Sequence, residues 1–190
     1  MEKLSYLATF ISLIYGLGVA NVLAHLSSLI KRGRNADWYW VHTLWAVFLL
    51  VLMATMWWVL QNWSAVPHIG YLSYLSMLLA PSQLFITSDL LFPERQAEGL
   101  VDLKAHFFRI KRALFTLLFV GVLADELDSL LKGWDHVVAL GPAYWASQVV
   151  WYTVCITGFR SDSERTQGVL VCVSLAVLVG GMHQILGAVP

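Results

Sequence analysis

Asn21 and His25 stand one helical turn apart, so both side chains leave the same face of a helix. Gln83 sits in a second apolar stretch, Asp125 and Glu126 in another, and His183 and Gln184 in a last one. Holding an ionisable group in the middle of a bilayer costs about 2.5–3.5 kcal/mol on insertion scales. Groups kept at that cost either move ions or hold helices together. A neutral imidazole beside a carboxylate titrates near physiological pH and can relay a proton or bind a small cation. These residues are the candidate transport path.

Other chemistries find less support. H-E-x-x-H, G-x-S-x-G and phosphate-loop patterns are all absent, so neither an enzyme nor a metal site is expected. Cys155 and Cys172 lie on one hairpin without C-x-x-C spacing and read as packing residues. His25 and His42, at similar depth on consecutive helices, are the one pair that could offer axial ligands to a haem. Otherwise no cofactor is expected. His68, His106 and His136 fall in connections, where solvated or headgroup-level roles are expected.

The frame that positions these residues is dictated by composition. The chain is 58% hydrophobic and 13% charged, against about 45–50% and 25% in soluble domains. Disorder and a disulfide scaffold are excluded, and a formal charge of +0 argues against a nucleic-acid partner. Apolar stretches long enough to span a bilayer run over residues 4–30, 38–60, 69–92, 110–131, 142–159 and 168–189. Their apolar runs are continuous rather than alternating, which excludes barrel strands. The fold class is therefore all-α integral membrane, with six transmembrane helices and a first stretch that is retained rather than cleaved. Trp38, Tyr39 and Trp40 at one end of the second stretch, and Trp57, Trp58 and Trp63 at the other, read as interface belts. Leu100, Leu103, Phe107 and Ile110 recur at helical spacing. That segment is either an interfacial amphipathic helix or an extension of the fourth span.

Of the 12 Lys and Arg, all but Lys3 and Lys132 fall in alternate connections. The positive-inside bias then places both termini outside the cytoplasm, in an inner (plasma) membrane. Aligning Leu26–Lys31 with Leu127–Lys132 brings Gln83 over Gln184 and His25 over Glu126. Residues 1–98 and 99–190 become two three-helix halves of opposite orientation, a 3+3 inverted repeat. Each half would build one polar cluster from its first and third helices. Gly16, Gly18, Gly180 and Gly181 suit close helix approach. The expected function is a small channel or transporter for protons or a small cation, working as a homo-oligomer in the lipid bilayer. The alternative is a non-catalytic accessory or assembly subunit with a membrane-protein partner.

Overall fold

Each long apolar stretch becomes a helix because backbone groups surrounded by apolar side chains must bond within their own segment. The computed structural model describes residues 2–66, 70–94 and 100–187, and the side chains of 2–5, 34, 65 and 182–187 are outside that description. The helices are α1 (Glu2–Arg32), α2 (Trp40–Val59), α3 (Tyr71–Leu90), α4 (Leu103–Leu131), α5 (Trp134–Ala139), α6 (Gly141–Arg160) and α7 (Glu164–Gly187). Their ends follow local chemistry. Lys31 and Arg32 complement the negative end of the α1 dipole, and Gly33 turns the chain at φ 54°. Asp102 caps α4 by accepting from Ala105 N at 2.8 Å. Gly133, at φ 109°, separates α4 from α5.

The long helices pack in a ring in the order α1, α3, α4, α6, α7, α2, and α2 also touches α3 and α4. Trp45, Phe48, Leu49 and Met53 of α2 form the core with Leu84 of α3 and Phe115 of α4. A two-residue parallel ladder, β1 (Ala36–Asp37) with β2 (Val101–Asp102), clips the α1–α2 connection to the start of α4.

Among the described residues three helical stretches are long and apolar enough to cross a membrane: Tyr6–Arg32, Trp40–Ser64 and Glu164–Gly181. The expectation of six is met there by three. α3, α4 and α6 are 20, 29 and 20 residues long, so length is not what they lack. Polar residues such as Ser76, Gln83 and Thr87 lower the hydropathy of α3 and Gln148 that of α6, while α4 is set apart by its charges, Lys111 and Arg112 at one end and Asp125, Glu126 and Asp128 at the other. Ser76, Gln83, Thr87, Lys111 and Gln148 are all buried, whereas Leu72, Leu75, Leu79 and Ile86 of α3 are exposed.

The amphipathic segment is no separate helix: it runs straight into α4 from Leu103. α5 and the short ladder were not foreseen. The two halves also pack differently. α1 lies along α3, but their counterparts α4 and α7 are not a packed pair among the described residues.

Close approach is required at Gly158, not at Gly16 or Gly180. A Cβ at Gly158 would lie 2.3 Å from the Phe115 ring, whereas Gly16 and Gly180 have nothing within 4 Å. Phe115 is itself fixed edge-on to Trp45, with centroids 5.4 Å apart. Gly158→Ala should therefore destabilise the fold by about 1–3 kcal/mol through overpacking. Phe115→Leu in the same chain should recover part of that loss, and Gly16→Ala should cost almost nothing. Unfolding in micelles measures all three.

Candidate functional site

The last carbonyls of a helix have no partner within it and carry the negative end of its dipole. At the C-terminus of α3 the unpartnered carbonyl is that of Leu91, and two imidazoles serve it. His42 of α2 donates from Nε2 at 2.8 Å, and His106 of α4 donates from Nε2 at 3.1 Å. Arg109 donates from Nη2 to His106 Nδ1 at 3.0 Å. Phe92 stacks on His25 at 4.8 Å between centroids and meets His42 edge-on at 5.2 Å. His25 donates from Nδ1 to Asn21 O at 2.9 Å, while Asn21 donates from Nδ2 to Ser88 Oγ at 3.2 Å, joining α1 to α3. Burial first, and the Arg109 charge second, hold the His106 imidazole below its ordinary pKa.

The C-terminus of α6 is served in the same way. Lys111 of α4 donates from Nζ to Phe159 O at 3.2 Å and Ser161 O at 3.0 Å, and pairs with Asp162 at 2.9 Å. Gln167 of α7 adds Nε2 bonds to Gly158 O at 3.1 Å and Ser161 O at 2.8 Å. Lys111, read from sequence as one of the cytoplasmic charges, has a side chain only 4% exposed.

Polar residues at the other end and in the middle bridge neighbouring helices. Gln83 donates to Leu117 O at 2.9 Å, and Gly121 makes room for it: a Cβ there would sit 3.1 Å from Gln83 Oε1. Asp125 Oδ2 accepts from Tyr144 Oη at 2.7 Å and from Gln148 Nε2 at 2.8 Å, both on α6. Glu126 lies beside Tyr152 of α6. Asp128 pairs with Lys132 and accepts from Trp63 Nε1 at 2.8 Å. Trp63, read as part of an interface belt, is therefore buried, while Trp38, Trp40 and Trp57 are exposed.

The structure thus joins Asn21 and His25 to the end of α3 but sets Asp125 and Glu126 against α6 rather than α7. Gln83 meets α4. His183 and Gln184 lie on the α7 backbone, with side chains outside the described residues, as is His68. Between the two polar ends stand Trp45, Phe48, Leu49, Leu84 and Phe115, all buried and apolar. His25 and His42 do not fit a haem. The Phe92 ring occupies the space between them, and His42 Nε2 is committed to Leu91 O. Among the described residues no group of three or more His, Cys, Asp or Glu is placed to hold a metal ion. Cys155 is buried and Cys172 exposed, both as free thiols.

From sequence His106 reads as a solvated connection residue, Lys111 only as one of the charges that set orientation, and Gln167 carries no signal. The signal that could have found them is the requirement for donors where α3 and α6 end. His106, Arg109 and Lys111 form a donor-rich stretch in the first turns of α4. No family model, curated protein or solved structure matches this chain, so its chemistry is read from its own geometry.

Lys111→Met leaves Phe159 O without its donor and Ser161 O with Gln167 alone, and should lower stability by about 1–3 kcal/mol. Lys104→Met, which removes an exposed pair with Glu164, should leave the unfolding midpoint nearly unchanged. His106 supplies a pH dependence. Its folded pKa lies below the unfolded value of about 6.5, so folding favours the neutral ring. That contribution is complete above pH ~6.5 and is lost as pH falls below it, levelling off beneath the folded pKa. Denaturation curves from pH 8 to 5 should show this acid slope, and His106→Gln should flatten it.

Proposed function

We propose that the chain is an integral membrane protein in which α1, α2, α3, α4, α6 and α7 all cross the bilayer of an inner (plasma) membrane, with both termini outside the cytoplasm. The observation that carries this reading is the inverted distribution of polarity in α3, α4 and α6. Gln83, Thr87, Ser88 and Gln148 point inward, while Leu72, Leu75, Leu79, Leu123, Leu127, Val149 and Ile156 point out. A helix that meets water would bury the second set and expose the first. A helix that meets lipid does the opposite.

Within that membrane the chain acts as a non-catalytic accessory or assembly subunit. Several of its intramembrane polar groups are engaged in joining helices: Asn21 with Ser88, Gln83 with Leu117, Asp125 with Tyr144 and Gln148, Lys111 with the end of α6. The second reading is proton or small-cation transport. It is favoured by titratable clusters at both ends, His25, His42 and His106 at one and Asp125 with Tyr144 at the other. Transport would require the Trp45–Phe48–Phe115 layer to part.

Single cysteines introduced at Asn35 and Asp162 should be labelled only from the cytoplasmic side, and one at Asp135 only from the other. Labelling of all three from one side would overturn the six-span reading. Proteoliposomes of the purified chain should show no proton or sodium flux between pH 5 and 8. Flux abolished by His42→Ala or Asp125→Asn would replace the accessory role with the transport one.

A further inference from the structure

His42 and His106 converge on one carbonyl, and that convergence fixes their chemistry. Leu91 O can only accept, so each ring carries its proton on Nε2. Arg109 can only donate, so Nδ1 of His106 is an unprotonated acceptor. A neighbour at each nitrogen therefore holds His106 in a single neutral tautomer.

One more proton has only one place to go on that ring, Nδ1. Binding there consumes the lone pair that holds Arg109 Nη2 and sets two cations against each other. Arg109 is exposed and can swing away; His106 is 8% exposed and pinned by Leu91. Besides the carbonyls that end α3, the surroundings offer no negative group. α2 presents His42, with ring centroids 6.4 Å apart, and its Nδ1 is buried without a partner. α3 presents the backbone carbonyls of Leu90 and Leu91, and α4 itself presents Arg109. Among the described residues no carboxylate bonds either ring.

We propose that His106 is a proton-operated latch: a proton taken up at Nδ1 expels the Arg109 guanidinium from the ring, while Nε2–H stays on the Leu91 carbonyl. The negative end of the α3 dipole favours an imidazolium at that position, so the cap on α3 survives the switch. The change is confined to the basic end of the bundle. There it adds one positive charge and frees a planar donor fork that can bind a carboxylate or phosphate in two-point fashion. His42 does not operate the latch, because it is 0% exposed and its Nδ1 has no mobile cation to release. The proposal is independent of whether the chain assembles with partners or transports.

The test uses the full chain in nanodiscs with isotope-labelled histidine and arginine, assigned through His106→Gln and Arg109→Gln. Between pH 8 and 4.5 the His106 ring carbon and the Arg109 Nε resonances should move with one shared midpoint. Arg109→Gln should raise the His106 midpoint by about 0.5 unit or more, since a repelling charge is gone. Arg109→Lys, which keeps the charge without the fork, should fall between the two. Arg109 is exposed, so neither variant disturbs the core. An Arg109 signal that ignores the His106 midpoint would overturn the latch, as would a His106 midpoint indifferent to Arg109→Gln.

Discussion

The bundle depends on how two helices end. α3 and α6 both stop at the basic end, and each leaves carbonyls that lie out of reach of their own backbone. Unsatisfied, each such buried group would cost about 1–3 kcal/mol. α4 answers both, with His106 toward α3 and Lys111 toward α6. α2 and α7 each complete one cap, through His42 and Gln167. Three neighbour pairs in the ring, and the α2–α3 contact across it, are thereby fixed in register by hydrogen bonds that apolar packing alone could not specify. Leu and Phe surfaces tolerate sliding; a donor on a carbonyl at 2.8 Å does not.

The same logic explains why the interior is polar in places. Gln83 reaches Leu117 O only because Gly121 has no side chain, and Asp125 is held by two donors from α6. Where no polar bond fixes the spacing, shape does. Gly158 lies under the Phe115 ring and Gly168 under Trp40, where a Cβ would come within 2.6 Å. Hydrogen bonds at the ends and ring-on-glycine contacts along the seams divide the task of alignment.

The long helices were legible in the sequence because continuous apolar runs bounded by Lys31–Arg32, Pro142 and Arg160 leave little choice of element. α5 was not, since six residues after Gly133 carry too short a pattern for periodicity to register. At the candidate site, Asn21 and His25 were found as a pair, but their partner Ser88 was not, because a serine in an apolar run carries no signal of direction. Trp63 reads from sequence as an interface-belt residue, yet it is buried and donates to Asp128 Oδ1. The repeat pointed Asp125 toward the last helix, whereas Tyr144 and Gln148 of α6 hold it. Residue type and depth can be read from sequence; which neighbour faces a residue depends on the ring order, and nothing in the chain encodes that locally.

The bond from His42 to Leu91 spans 49 residues of chain. Ribosomes add about 5–20 residues per second, so His42 is made roughly 2–10 s before its acceptor. His106 arrives later still, being 15 residues beyond Leu91. During that interval the nascent α2 must carry an unpaired imidazole, with only α1 beside it. The order of synthesis thus makes the first hairpin a waiting intermediate until the end of the third helix emerges.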